Sequence, residues 1–299
     1  MALSLAACQK NKVISLSGKT MGTTYHVKYL DDGSIKATSE KTHEEIEAIL
    51  KDVNAKMSTY KKDSELSRFN QNTQVNTPIE ISADFAKVLA EAIRLNKVTE
   101  GALDVTVGPV VNLWGFGPEK RPEKQPTPEQ LAERQAWVGI DKIALDMSGA
   151  KPTLSKALPQ VYVDLSSIAK GFGVDQVAEK LEQLNAQNYM VEIGGEIRAK
   201  GKNIEGKPWQ IAIEKPTTTG ERAAEAVIGL TIWEWQVLAI TVFTLKKMAN
   251  ALLMKLIRNR VSHSASFSLN YGTCTNLNDC RWLIYRVICA GGRQGVRSG

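Results

Sequence analysis

From residue 22 to residue 230 the apolar positions change spacing several times, and each change marks an element. Gly22–Leu30 alternates, with Thr24, His26 and Lys28 on one side and Thr23, Tyr25, Val27 and Tyr29 on the other. That period of two, in a β-branched and aromatic run, predicts a strand. His43–Met57 places Ile46, Ile49, Leu50, Val53 and Met57 at helical spacing. Ser82–Val98 repeats the pattern through Phe85, Val88, Leu89, Ala92 and Ile93, with Ser82 as N-cap and Gly101 beyond the end. Thr127-Pro128-Glu129-Gln130 has the form of a capping box with proline at the first helical position. Gln160–Asp164 reads as a buried strand and Ser167–Leu184 as the helix after it. Tyr189–Ile193, Glu196–Lys200 and Trp209–Glu214 read as consecutive strands, the first two joined at Gly194-Gly195. Strands mixed with long helices, without regular βαβ alternation, predict an α+β fold.

Composition changes this picture at one place. Of 299 residues, 43% are hydrophobic and 23% charged, which excludes a disordered or collagen-like chain, and no apolar run reaches the ~18 residues of a membrane span. The net charge of +6 invites a nucleic-acid reading until the chain is divided. Residues 1–230 hold 29 basic and 30 acidic residues, whereas residues 231–299 hold nine basic and two acidic. The basic excess therefore lies wholly in the last stretch, and no nucleic-acid partner is expected. That stretch also carries Cys274, Cys280 and Cys289, half of the six tryptophans and no proline. Its cysteines have no metal-ligand spacing.

At the other end, Leu5-Ala6-Ala7-Cys8 has the form of a bacterial lipobox, in which the cysteine thiol is acylated, although no basic segment precedes it. A frayed terminus with a chance cysteine is the other reading. In the lipobox reading residues 1–8 are a truncated signal peptide and residues 9–17 a tether.

Four segments carry more chemistry than a plain core needs. Lys19-Thr20-Met21-Gly22-Thr23 precedes a strand. Ser58–Asn70 follows a helix and mixes Tyr60 with hydroxyl and basic groups. Gly101-Ala102-Leu103-Asp104 sets a carboxylate among apolar residues and leads to Asn112-Leu113-Trp114-Gly115-Phe116-Gly117. Asp164-Leu165-Ser166-Ser167-Ile168-Ala169-Lys170-Gly171 ends a strand and opens a helix, where free backbone N–H groups, the helix dipole and Lys170 suit a phosphate. Each also has a structural reading: Asp-x-x-Ser as a cap, Tyr60 as packing. Gly115-Phe116-Gly117 lacks the strand, third glycine and acidic residue of a dinucleotide fingerprint.

Together with Glu192-Ile193-Gly194-Gly195-Glu196, these segments occur in the order of the ApbE family, which residues 18–230 closely resemble. Members of that family are FAD:protein FMN transferases of the bacterial envelope. The resemblance implies an α+β domain, with mixed sheets packed with helices around an FAD cleft. It also implies magnesium-dependent transfer of FMN from FAD to a Thr or Ser hydroxyl of an acceptor protein, with release of AMP. Acceptors would be envelope proteins such as respiratory electron-transfer subunits. Carried over by position, Met21, Tyr60, Ala102, Leu103, Asp104, Asp164 and Lys170 would contact FAD. Some members have an acid where Lys170 stands. Ser167 would be a magnesium ligand and Cys8 the lipidation site, which places the chain on the periplasmic side of the inner membrane. No residue is singled out as the general base.

After Leu230 the family pattern stops. Its Asn-x-Met-Gly-like strand, His-x-x-Asp-Pro segment and Thr-Ala-Asp with a later Thr are all missing. The codons of Thr231–Gln236, regrouped one base earlier, can read Asn-Met-Gly-Met-Ala. In the same frame Asn250–Arg258 can read Lys-Arg-Phe-Ala-His-Glu-Ile-Asp-Pro. In the remaining frame Asn278–Trp282 can read Met-Thr-Ala-Asp-Gly. Residues 231–299 are therefore expected to be an out-of-frame tail that removes metal ligands and impairs activity. The alternative is a periplasmic lipoprotein that binds FAD or splits its pyrophosphate without transfer.

Overall fold

In the computed structural model the described residues are 11–119, 125–214, 224–230 and 236–239. Cys8, the three later cysteines and all of 240–299 lie outside them. Ten strands and six helices longer than one 3₁₀ turn are seen among the described residues. They fall into two compact units. Among the described residues the first joins the chain up to Leu50 to the chain from Gly173 to Ala239, and the second is Lys51–Phe172.

The first unit is organised on an antiparallel five-stranded sheet of order β1-β2-β6-β7-β10: β1 Lys12–Thr20, β2 Thr23–Asp31, β6 Tyr189–Ile193, β7 Glu196–Lys200 and β10 Gln236–Ala239. β1 pairs with β2 from Lys12↔Asp31 to Thr20↔Thr23, so the stretch expected as a tether is already sheet from residue 12. Its alternation was there to be read, as Ile14 and Leu16 between polar residues with Val13 on the exposed face, but it is weak because β1 is an edge strand with little burial. The inward face of β2 carries Tyr25, Val27 and Tyr29, and that of β6 carries Tyr189, Val191 and Ile193. These pack on Ile46 and Leu50 of α1 (Ser39–Met57) and on Val174, Val177, Ala178 and Leu181 of α6 (Ala169–Gln183), forming one apolar core. Burial of each such side chain contributes about 1.5–3 kcal/mol before the entropy of ordering is subtracted. Elsewhere in the unit Ile197, Trp209, Ile211 and Leu230 form a smaller cluster with Met190 and Ala199. It draws on the two-stranded sheet of β8 (Trp209–Glu214) and β9 (Ala224–Leu230).

The second unit holds α2 (Glu65–Gln71), α3 (Ala83–Val98), α4 (Gly108–Leu113), α5 (Pro128–Gln135) and a three-stranded sheet of order β3-β5-β4. Those strands are Ile79–Glu80, Thr153–Lys156 and Ile143–Asp146. Ser82 caps α3 as expected, its Oγ accepting from Phe85 N at 3.3 Å. The α5 capping box forms in both directions. Gln160–Asp164, expected as a strand, makes only one bridge, Tyr162 to Val107 in parallel. It keeps a strand's alternation, with Val161, Val163 and Leu165 fully buried. No described helix is long and apolar enough to cross a membrane.

Candidate functional site

Met21 sits in the turn between β1 and β2. With Met21 at φ 49° and Gly22 at φ 73°, both central residues are left-handed, which is the type I′ geometry that matches strand twist. Glycine takes this conformation freely and methionine does not. Lys19–Thr24 line an open hollow of ≈560 Å³ at this turn. The same turn chemistry joins β6 to β7, where Gly194 and Gly195 have φ of 57° and 93°. Glu192 accepts there from Gly195 N at 2.6 Å and pairs with His26 Nδ1 at 2.8 Å. Met21 and the Glu192–Glu196 turn both belong to the first unit.

The remaining candidates lie in the second unit and converge on Asp164. Tyr60 is 65% exposed and its ring is steered by its hydroxyl, which donates to the Phe116 carbonyl at 3.2 Å. Partial burial, and then the negative charge of Asp164, raise its pKa. The hydroxyls around it cap α2. Ser64 and Ser67 both donate to the Ser58 carbonyl, and Ser64 Oγ accepts from Ser67 N at 2.9 Å. These serines serve local structure.

Ala102 and Leu103 follow α3 after a reversal at Glu100 and Gly101, both left-handed. Leu103 is held at each end of its peptide, its N donating to Thr99 Oγ1 at 3.0 Å and its carbonyl accepting from Asn96 Nδ2 at 2.7 Å. The Asp104 carboxylate accepts from Thr106 N at 2.8 Å and from the Thr106 hydroxyl. Thr106 Oγ1 in turn accepts from Gly139 N at 2.7 Å. The next residue, Val105, accepts from Asp164 N at 2.7 Å, which places the two segments side by side. Gly108 is needed here: a Cβ would lie 2.2 Å from the Tyr162 ring.

Asp164 itself forms an Asx turn, accepting from Ser166 N at 2.8 Å and from the Ser166 hydroxyl. Lys170 Nζ donates to the Ser166 carbonyl at 3.1 Å, so the ammonium stands at the entry to α6. Ser167 is exposed at the same entry. The structure thus brings together Tyr60, the Ala102–Asp104 segment, Asp164, Ser167 and Lys170 in one unit, with Met21 in the other.

Two further polar residues of this unit, Asn70 and Lys156, hold its backbone together without any role expected from the sequence pattern. The Asn70 amide brackets Val163, and Lys156 is buried with its ammonium among backbone carbonyls. A lysine at strand end gives no pattern that separates burial from exposure. Asn70 closing a hydroxyl-rich segment gave a weak hint.

Chemically, the arrangement offers binding groups. Among the described residues the histidine partners are Tyr25, Glu47 and Glu192, and no serine or cysteine is bonded to a histidine as an activated nucleophile would be. Nor do the described residues include a group of three or more His, Cys, Asp or Glu that could hold a metal ion. Ser167 and Asp164 alone do not make a magnesium site, because a hard divalent cation needs about six oxygens. An aromatic ring, a backbone shelf, a helix entry and one ammonium suit a flat ring system bearing phosphate.

The profile of the ApbE family matches residues 21–240. A Haemophilus influenzae FAD:protein FMN transferase is 96% identical over 231 residues, covering 77% of this chain and 67% of the relative. The Vibrio cholerae enzyme of the same name is 54% identical over 227 residues, covering 76% of this chain and 66% of that one. The Escherichia coli one is 38% identical over 225 residues, 75% and 63%. Among solved structures, flavin transferase ApbE from Vibrio cholerae superposes with a TM-score of 0.67 at 55% identity, covering 73% of this chain and 69% of that one. Pseudomonas stutzeri flavinyl transferase ApbE in its apo form gives 0.65 at 35% identity, with 74% and 68% covered. The chain thus spans about two thirds of the length of its curated relatives.

Proposed function

Because the chain belongs to the ApbE family, we propose that its substrate is FAD and its reaction the transfer of FMN to an acceptor protein. The observation that carries this reading is the convergence of Tyr60, the Ala102–Asp104 segment and Lys170 on Asp164 within one unit. The oxygen of an acceptor Thr or Ser hydroxyl attacks the FMN phosphorus. A new P–O bond forms, the bond to the bridging oxygen breaks, AMP leaves with that oxygen, and the hydroxyl proton passes to solvent. Such a reaction asks the protein for positioning and charge neutralisation more than for covalent chemistry. Tyr60 offers a ring face for a flavin or adenine. The entry to α6, with Lys170, offers positive potential to the pyrophosphate, and the Leu103 backbone, pinned at both ends, offers a fixed edge.

Magnesium would lower the barrier by neutralising the phosphates, and Ser167 is the residue assigned to it. The described residues gather no group of three or more acidic, histidine or cysteine side chains for it, so further oxygen donors are needed. In our reading they are encoded in the alternative frames of residues 231–299, and this chain as written has low transferase activity. In support, the 96% match to the Haemophilus relative spans 231 of the 299 residues. Lipidation at Cys8, attachment to the periplasmic face of the inner membrane and envelope acceptors complete the proposal.

The test compares the chain as written with a version in which the bases around codons 231 and 259–277 restore one frame. Each is incubated with FAD, magnesium and an acceptor domain carrying the target hydroxyl, and covalent flavin fluorescence is read after denaturing electrophoresis. A fluorescent acceptor band from the restored version, weak or missing with the chain as written, is expected. A folded restored protein that yields only free FMN and AMP would establish the hydrolase alternative instead.

A further inference from the structure

Two polar side chains of the second unit are committed to the backbone just ahead of Asp164, and the chemistry above uses neither. Asn70 makes a two-point contact with one residue: Val163 N donates to its Oδ1 at 2.8 Å, and its Nδ2 donates to the Val163 carbonyl at 2.9 Å. A side chain thereby supplies the pair of bonds that a neighbouring strand would supply in a ladder. This explains why Gln160–Asp164 keeps strand alternation while making only one bridge. Behind it, Lys156 is 2% exposed, and its ammonium donates to the carbonyls of Pro159 at 3.0 Å, Asn70 at 3.1 Å and Val161 at 3.3 Å. Three N–H groups thus meet three acceptors.

The two side chains fix the same pair of segments. Asn70 ends the segment that carries Tyr60, and residues 159–163 lead directly to Asp164. Val161 and Val163 point inward, so Tyr162 and Asp164 alternate to the other side, where Asp164 N bonds to Val105 and Tyr162 lies against Gly108. We propose that Asn70, backed by Lys156, is a positioning residue for FAD, holding the Tyr60 segment and the Asp164 segment in one fixed register. The proposal rests on the FAD reading and deepens it. Asn70 touches no substrate; it acts through the placement of Asp164.

A residue that matters only for folding would weaken FAD binding by the same factor whether or not Asp164 is present. A positioning residue loses its effect when the group it positions is gone. FAD is therefore titrated, by flavin fluorescence, into the full chain and into Asn70→Ala, Asp164→Ala and the double variant. Loss of the two bonds is expected to weaken FAD binding about tenfold in the wild-type background. It is expected to weaken binding less than about twofold in the Asp164→Ala background. Lys156→Met should weaken binding in the same direction. If Asn70→Ala does not fold, Asn70→Asp carries the same cycle, since it is isosteric, keeps the acceptor for Val163 N and loses the donor to the Val163 carbonyl. Equal factors in both backgrounds, or wild-type affinity in Asn70→Ala, overturn the proposal and leave the FAD reading standing. A wild-type chain that binds no FAD overturns both.

Discussion

Lys156→Met separates the cost of burying a charge from the gain of the bonds it makes, and the separation can be read as a pH slope. Burial brings the Lys156 pKa from 10.5 to about 8, with desolvation as the only cause. Its Nζ lies 5.3 Å from the Phe69 ring centroid, its register partner is Ile143, and no described carboxylate pairs with it. A difference of about 2.5 units corresponds to roughly 3 kcal/mol of differential interaction. Below pH ~8 both folded and unfolded chains hold the proton, so the burial cost is present in full and constant. From pH ~8 to ~10.5 the unfolded chain binds more protons, so stability rises with pH and the cost disappears. Methionine has nearly the same length and no charge. It leaves three carbonyls without a donor, a penalty that does not depend on pH. Urea unfolding of both proteins at pH 7.5 and 9.5 is the assay. The wild type should gain about 2 kcal/mol relative to Lys156→Met between these values, by integration of the two pKa values. The buried tyrosines Tyr25 and Tyr189, whose pKa values burial raises, titrate equally in both proteins and cancel. A relative gain below about 0.5 kcal/mol, within the error of the extrapolation, would refute the reasoning.

Gly108→Ala and Gly22→Ala test two distinct demands on glycine. At Gly108 the new Cβ would meet the Tyr162 ring at 2.2 Å, and a loss of about 1–3 kcal/mol in urea unfolding is expected together with weaker FAD binding. At Gly22 the space is open but φ is +73°, so the loss should be about 1–2 kcal/mol and purely conformational, leaving hollow and core intact in a crystal structure. Arg198 is 3% exposed and pairs with Asp175 at 3.0 Å and Glu182 at 3.4 Å. Asp175→Asn strands part of a buried charge and should lower stability by about 3–5 kcal/mol, seen as a shifted urea midpoint. Replacing Ser82 by Ala removes the α3 cap and should cost about 1 kcal/mol, with FAD affinity unchanged.

The elements with a strong period and a buried face were legible in the sequence. α1 buries Ile46, Leu50, Val53 and Met57, and strands β6, β7 and β8 begin and end where alternation and glycine placed them. The misses are short elements or strands without a strand partner on each side. β1 is an edge strand, β3 has two residues, α4 has six, and Gln160–Asp164 is paired by a side chain in place of a neighbouring strand. Motif order brought the candidate residues to notice, but it did not show how each is held. Asp104 and Asp164 carry the same Asx-type turn with the hydroxyl two residues on, and for Asp164 the sequence left both readings, cap and site, open. Asn70 and Lys156 were invisible as a pair, because 86 positions of chain separate them.

The pairing of β10 with β7 has a consequence for how such a chain tolerates error. Gln236–Ala239 occupy the sheet margin through Gln236↔Ala199 to Ala239↔Glu196, and the contacts that define this register are made by peptide groups. Peptide groups are common to every codon assignment except proline, and residues 231–299 contain no proline. A slot at a sheet margin is therefore blind to reading frame, whereas a metal-ligand set is not. A change of side chains along such a margin keeps the backbone ladder, whereas a ligand set built from side chains is lost.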